Sequence, residues 1–162
     1  MPLGQFGTRL HGGNEAASAR YIFTNLNPLT RVVFSELDDA LLPQLEEEGL
    51  KIEPEYYAPT IPLVLVNGAQ GIGTGWSTSV PPFNPLDIVD NLERRLEDPN
   101  ARFKRMIPWF KNFTGRIYPL ENAGSFSVKG VWRKVDRNTI TITELPVRTW
   151  TRPYKTFIED LM

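Results

Sequence analysis

The chain has 162 residues, of which 41% are hydrophobic and 11% aromatic, so it can bury one fair-sized core or two small ones. Its formal net charge of −1 argues against a generic nucleic-acid binder. The absence of cysteine excludes disulfides and thiolate metal sites, and the single histidine, His11, cannot assemble a zinc site. No apolar run reaches membrane-spanning length, and we expect neither a secretory signal nor an acylation site at the start of the chain.

Residues 1–30 predict a loop that ends in a short strand, Tyr21–Thr24. Glycine occupies four positions between residues 4 and 13: Gly4, Gly7, Gly12 and Gly13. Glycines remove side chains where the backbone of a polyanion must come close, and they leave peptide N–H groups free to donate to phosphate oxygens. The loop is therefore a candidate phosphate-binding segment.

The dipeptide Arg20-Tyr21 at the end of this loop suits chemistry on a phosphodiester. A phenol loses its proton only near pH 10, so as a nucleophile it needs a neighbouring cation that favours the phenolate and the charge building on phosphorus. Arg20 is that cation by adjacency. The alternative is a glycine-rich surface loop followed by a tyrosine that packs in the interior.

The next segments predict a helix, an extended connection and a strand. Leucines at helical spacing, with acidic residues opposite them, predict a helix over Leu37–Leu50. Prolines between Pro54 and Pro62 impose an extended connection. The continuous apolar run Leu63–Val66 is typical of a strand buried on both faces, and Asn67-Gly68 ends it.

A capped helix follows. Asn84 is the predicted N-cap, with proline at the first helical position, and the helix ends near Asp98. Its inner face is marked by Ile88, Leu92 and Leu96.

The last third predicts strands and a final helix. Phe126–Lys134 and Thr139–Leu145 alternate apolar with polar residues, and Asp136–Asn138 between them predicts a hairpin turn. A helix opens towards Pro153. The mixture predicts an α+β fold.

Charge is segregated along the chain. Residues 36–55 are acidic, whereas residues 102–137 carry nine lysines and arginines against two acidic residues. The basic block either tracks DNA phosphates or is a solvated face. Four aromatic residues interleave with it, and we expect them to form core rather than stack on bases: Trp109, Phe110, Phe113 and Trp132.

The strings GQFGTRLHGG and AASARYIFT, within Gly4–Thr24, closely resemble the active-site segment of type IIA DNA topoisomerases, in the eukaryotic DNA topoisomerase II form. The resemblance implies that Tyr21 attacks a DNA phosphate and becomes linked to the new 5′ end, while Arg20 stabilises the transition state. Two departures are Asn14, where many relatives have a basic residue, and Ala19, where they have proline; the former puts DNA affinity in doubt.

Other residues of the same string are candidate DNA-binding residues: Gln5, Arg9 and His11. His11 lies close to Arg9 in sequence and is a candidate phosphate contact. A structural hydrogen bond is the alternative role for this histidine.

A second segment, Pro59–Pro82, resembles the same family independently. Its glycine-rich stretch Gly68–Trp76 resembles the loop whose isoleucine wedges between base pairs and bends DNA, and that residue is Ile72 here. An apolar side chain between two glycines can protrude and unstack a base step. The alternative is a turn isoleucine that packs. A third segment, Glu144–Thr151, again resembles the family.

The resemblance also implies an organisation. Residues 1–35 correspond to the C-terminal part of a winged-helix DNA-cleavage domain, and residues 36–162 to a partial, mixed α/β tower-like domain. The glycines 71, 73 and 75 have GxGxG spacing and run into Pro81-Pro82, so they do not match a dinucleotide-binding loop. A Walker-type phosphate loop is absent, which leaves no visible ATP site.

In this family the complete enzyme uses Mg²⁺, held by a separate Toprim domain, and ATP, hydrolysed by a further domain. No binding site for either is evident in the sequence, and we expect no metal site here. The implied partners are double-stranded DNA, the missing Toprim and ATPase portions and a second copy in a homodimer, with no membrane. The implied location is the nucleus, with organellar or viral origin open. The alternative function is a non-catalytic DNA-binding or DNA-bending fragment.

Overall fold

The computed structural model describes residues 1–122 and 124–162. The strands in this part pair two by two, all antiparallel: β1 (Pro2–Leu3) with β2 (Phe23–Thr24), β3 (Gln44–Glu47) with β4 (Leu50–Pro54), β5 (Ala69–Gly73) with β6 (Trp76–Val80), β7 (Arg116–Pro119) with β8 (Phe126–Lys129), and β9 (Val131–Lys134) with β10 (Ile140–Glu144). The helices are α1 (Thr30–Val33), α2 (Leu63–Asn67), α3 (Pro85–Glu97) and α4 (Thr151–Glu159), with 3-10 helices at Ala19–Tyr21 and Glu36–Asp38. The predicted α+β class is confirmed.

The chain forms two compact units. Unit 1 combines Met1–Asn25 with Ile107–Met162, and unit 2 is the continuous stretch Leu26–Met106. The division into winged-helix and tower-like parts at residue 35 stays a prediction. Among the described residues, no helix is both long and apolar enough to span a lipid bilayer.

Helix α3 organises unit 2, and its predicted start is confirmed. The Asn84 side chain accepts a hydrogen bond from the Leu86 N–H at 3.0 Å, and proline occupies the first turn. Ile88 is 2% exposed, and the buried amide of Asn91 both donates to the Lys104 carbonyl at 3.0 Å and accepts from its N–H at 2.7 Å. The chain around Lys104 is thereby fixed against the middle of the helix.

The predicted inner face of α3 is wrong at its C-terminal end. Leu96 is 84% exposed. The packed segment meets the helix at Asn91, before the last turn, so the apolar spacing continues beyond the surface that is covered.

The predicted helix over Leu37–Leu50 is wrong. A 3-10 turn at Glu36–Asp38 is followed by the hairpin β3–β4. Pro43 interrupts the helical spacing because proline lacks the N–H that a helix interior needs. Glu48 and Gly49 both have positive φ, 50° and 80°, and this two-residue turn reverses the chain between the paired residues Glu47 and Leu50.

The predicted buried strand Leu63–Val66 is also wrong. These residues lie in the short helix α2, and Val64 is 53% exposed. A short apolar run fits a strand or a helix equally well, so the pattern alone could not distinguish them.

In unit 1 the predicted hairpin turn at 136–138 is confirmed, since Lys134 pairs with Ile140 across it. The predicted strand Phe126–Lys134 is two strands separated at Gly130, one paired with β7 and the other with β10. Gly130 must be glycine, because a Cβ there would collide with the Glu144 carbonyl. The expected aromatic core is wrong for Trp132 and Trp109, which are 65% and 42% exposed.

Glu144, at the end of β10, is a buried charged residue that ties distant parts of unit 1 together. Its side chain is 7% exposed. One carboxylate oxygen accepts from the Arg9 guanidinium, and the other accepts from the Thr114 N–H at 3.1 Å and the Thr114 hydroxyl at 2.9 Å. Burial raises the pKa of Glu144, but the hydrogen bonds from Thr114 and Arg9 outweigh it, so the net pKa lies below the ordinary glutamate value.

We expect Ile88→Ala to lower the free energy of unfolding by about 2–5 kcal/mol, because it opens a cavity against α3. Leu96→Ala, on the same helix but exposed, is the matched control and should change stability by less than about 0.5 kcal/mol. Urea unfolding of the full chain, followed by circular dichroism, measures both. Equal effects of the two substitutions would contradict the assignment of Ile88 as core.

The Glu144 network predicts an acid-dependent loss of stability. A carboxyl with a lowered pKa stabilises the fold above its unfolded pKa of about 4.3, and this contribution is lost as pH falls through the folded pKa. At neutral pH, Glu144→Gln should cost about 1–3 kcal/mol, since the charged hydrogen bonds are replaced by neutral ones.

Urea titrations of both proteins at decreasing pH measure the difference. It should narrow steadily below about pH 4.3 as the native carboxylate takes up its proton. A difference that stays constant throughout acidification would show that the charge of Glu144 is unimportant for folding.

Candidate functional site

The glycine-rich loop, defined here as residues 4–17, is closed by its own backbone. The N–H groups of Gly12 and Gly13 donate to the Thr8 carbonyl at 3.0 and 3.3 Å. The Ala17 N–H donates to the Gln5 carbonyl at 2.9 Å, and the Thr8 N–H donates to a Glu15 carboxylate oxygen at 2.8 Å. The loop is a hydrogen-bonded structure, and two of its glycine N–H groups are already used inside it.

Two glycines of this loop are required by close packing. A Cβ on Gly7 would lie 2.5 Å from the Cα of Gly13, and one on Gly12 would overlap the indole of Trp150. Gly13 has no atom within 4 Å of the position of a Cβ, and its φ is 88°. The expectation that the glycines make room for a polyanion therefore has space only at Gly13, whereas Gly7 and Gly12 admit the protein's own backbone and side chains.

Tyr21 lies on the surface of unit 1, and its side chain is 65% exposed. It ends the 3-10 helix Ala19–Tyr21, where its N–H donates to the Ser18 carbonyl at 2.9 Å. The predicted strand at Tyr21–Thr24 is therefore shorter than expected, because β1 offers only two residues for pairing and these meet Phe23 and Thr24. The alternative of a tyrosine packed in the interior does not hold.

Arg20 is adjacent to Tyr21 in space as well as in sequence. The guanidinium carbon lies 5.6 Å from the centre of the tyrosine ring, within range of a cation–π contact. Both side chains are exposed, so a phosphate could approach the cation and the phenol together. Their proximity provides a nucleophile and a positive charge at one point of the surface.

Ile72 is located in unit 2 on an exposed hairpin. The stretch predicted as a loop forms β5 and β6, joined through Thr74 and Gly75, whose φ of 81° suits the tight turn. Ile72 pairs with Ser77, and its side chain is 91% exposed. A packed turn isoleucine is thus excluded, and the side chain projects from a narrow two-stranded ribbon.

The remaining predicted site residues all lie in the glycine-rich loop of unit 1. Gln5 is exposed, and its backbone carbonyl is used by the loop. Arg9 is half exposed, and its guanidinium donates to Glu144 and, at 2.9 Å, to the Leu145 carbonyl. His11 is half-buried; the pKa of Glu15 is lowered first by the Thr8 hydrogen bond and to a smaller extent by His11. Their assignment to DNA binding stays a prediction.

Glu144 is the residue whose role the sequence did not indicate. It was visible only as part of a segment that resembles the family, and its partners lie 30 and 135 positions away. In the part of the chain that the structure describes, no group of three or more histidine, aspartate or glutamate side chains could hold a metal ion.

Comparison with known proteins agrees with the features described above. The family model for DNA gyrase/topoisomerase IV matches residues 1–162. The chain is 53% identical over 161 residues to "DNA topoisomerase 2, mitochondrial" of Dictyostelium discoideum and 52% identical over 163 residues to "DNA topoisomerase 2 top-2" of Caenorhabditis elegans. These matches cover 99% and 100% of this chain but 12% and 10% of the relatives, so the chain spans about a tenth of their length.

A solved structure extends the similarity to the fold. The Plasmodium falciparum topoisomerase II DNA-binding, cleavage and re-ligation domain superposes with a TM-score of 0.84 at 48% identity. The match covers 99% of this chain and 22% of that one. The resemblance inferred from the sequence is confirmed: this chain belongs to the DNA gyrase/topoisomerase IV family, and its relatives there are eukaryotic DNA topoisomerase 2 proteins.

Proposed function

We propose that this chain supplies the DNA-cleaving tyrosine and the DNA-bending wedge of an ATP-dependent type II DNA topoisomerase. The exposure of Tyr21 next to Arg20, on a loop held by its own hydrogen bonds, is the observation that carries this proposal. The complete enzyme would cut and reseal one duplex so that a second duplex passes, which removes supercoils and tangles.

The chemistry follows from the two side chains. The phenolic oxygen of Tyr21 attacks a DNA phosphorus, and a tyrosine–phosphate bond forms at the 5′ end as the bond to the 3′ oxygen breaks. The phenol gives up its proton and the departing 3′ oxygen takes one up, so the step is balanced and resealing is its reverse. Arg20 stabilises the negative charge that builds on the phosphate oxygens.

The basic strands of unit 1 support a polyanionic partner. Arg116 and Lys129 are directly opposite each other in the β7–β8 pair, and like charges in this arrangement destabilise a sheet. A phosphate backbone would relieve their repulsion. We therefore infer that the basic block tracks double-stranded DNA rather than serving only as a solvated face.

We assign Mg²⁺ and ATP to other parts of the complete enzyme, because the described residues of this chain provide no cluster suited to the metal. Mg²⁺ would supply charge neutralisation at the cut phosphate when bound. The proposed assembly is a homodimer in which each Tyr21 opens one strand. Its proposed location is the nucleus; the relative named as mitochondrial makes an organelle the alternative to test.

We expect Tyr21→Phe to reduce the covalent protein–DNA adduct by more than about a thousandfold, because the nucleophilic oxygen is gone. The experiment places this chain in the Dictyostelium discoideum relative, replacing the matching 161 residues. Denaturation during the reaction traps the adduct, and mass spectrometry identifies the esterified residue. DNA affinity should be unchanged.

Tyr118→Phe is the matched control. Tyr118 is also exposed in unit 1, at 41%, and also has a cation over its ring, Lys129 at 5.5 Å. This variant should form the adduct at the normal level. An adduct that survives Tyr21→Phe, or a chimaera that binds DNA without ever cutting it, would favour the alternative of a non-catalytic DNA-bending fragment.

We expect Ile72→Ala to reduce DNA bending and DNA cleavage together, each by about tenfold or more, since a wedge that unstacks a base step contributes a few kcal/mol. Energy transfer between dyes at the two ends of a short duplex measures bending in the same chimaera. Leu96→Ala, equally exposed in unit 2, is the control and should change neither. Normal bending by the Ile72 variant would remove the wedge from the proposal.

A further inference from the structure

Glu144 holds one end of the glycine-rich loop through a set of contacts that simple packing does not require. Burying a carboxylate is unfavourable unless it is paired and hydrogen-bonded, and an apolar residue of similar size often stabilises such a position equally well. Here both oxygens are used, by Arg9 and by Thr114. Such a group fixes direction and distance, which apolar contact alone does not do.

The segment that begins at Glu144 meets the loop at several further points, and we call residues 144–152 the latch segment. The Leu145 carbonyl accepts from Arg9 at 2.9 Å, and the Arg152 N–H donates to the Leu10 carbonyl at 3.0 Å. The Trp150 indole closes over Gly12, where a Cβ would not fit. The loop is thus attached to the latch segment by both its backbone and its side chains.

A continuous set of contacts leads from Arg9 to the tyrosine. Thr8, next to Arg9, is bonded to Glu15 on the returning side of the loop. Gln5 accepts from Ala17, and a Cβ on Gly4 would lie 3.0 Å from the Tyr21 carbonyl. Displacement of the Arg9 end would therefore be felt on both sides of the 3-10 helix that carries Tyr21.

We propose that Glu144 is a positioning residue for DNA cleavage: by holding Arg9 it fixes the glycine-rich loop, and through the loop the orientation of Tyr21. This inference rests on the proposed role of Tyr21 as the nucleophile. It also gives Arg9 a task within the protein, in addition to its predicted contact with DNA. A displacement of about 1 Å at a reacting group can reduce a rate about a hundredfold, so such an anchor has a measurable effect.

The test uses Glu144→Gln in the chimaera described above, with single-turnover cleavage and DNA affinity measured separately. Affinity is measured with Tyr21→Phe also present, so that no DNA is cut. Cleavage should fall by about 10- to 100-fold while affinity stays within about twofold, because position changes and the DNA-binding surface does not. Asp136→Asn, another carboxylate of unit 1 with a lowered pKa, is the control and should leave both unchanged.

A mutant cycle with Arg9→Ala distinguishes positioning from direct DNA contact. If Arg9 and Glu144 act as one unit, the double variant should cleave no more slowly than the slower single variant. Multiplying effects, or a loss of affinity with Arg9→Ala that accounts for all its loss of cleavage, would overturn the proposal. So would normal cleavage by Glu144→Gln.

Thr114→Val is the milder second variant, should Glu144→Gln fold poorly. It removes one hydroxyl bond and leaves the carboxylate in place, and we expect about a threefold loss of cleavage at unchanged affinity. Full cleavage by a folded Thr114→Val protein would count against the proposal. The two failures remain distinguishable: an adduct retained by Tyr21→Phe refutes the nucleophile, whereas loss of that adduct with normal cleavage by Glu144→Gln refutes only the anchor.

Discussion

The pairing of Arg9 with the buried carboxylate of Glu144 is the constraint on which unit 1 depends. Residues 1–25 and 107–162 are distant in sequence, and closing so long a connection has an entropic cost that contacts between the two stretches must offset. A carboxylate that is 7% exposed is stable only when its partners are in place, so the pair enforces one arrangement. The glycine-rich loop inherits its position from that arrangement.

Little else in the described chain is buried. Its sheets have two strands each, which are marginally stable alone, and Ile88 is the buried hydrophobic residue found among the described positions. Large apolar side chains such as Trp76 and Trp132 remain 82% and 65% exposed. This supports the proposal that the chain works within a longer enzyme, whose other parts and DNA would cover these surfaces.

The sequence allowed prediction wherever the physical cause is local or a motif is complete. The cap at Asn84 and the hairpin turn at 136–138 follow from neighbouring residues, and Tyr21 and Ile72 were located by their surrounding strings. The run Leu63–Val66 failed because its pattern fits either secondary structure, and the helix over Leu37–Leu50 failed at Pro43. Glu144 could not have been paired with Arg9, since nothing local connects residues 135 positions apart.

The exposed hairpin has the mechanical properties that a wedge needs. Unstacking a base step requires a few kcal/mol, and the protein must resist that force without bending. Ile72 lies within a continuous five-pair register between β5 and β6, so its backbone is held on both sides by ladder bonds. Gly71 and Gly73 carry no side chains beside it, which leaves the isoleucine free to enter a narrow gap. A flexible loop with the same residue would offer the same apolar surface but would yield before the DNA did.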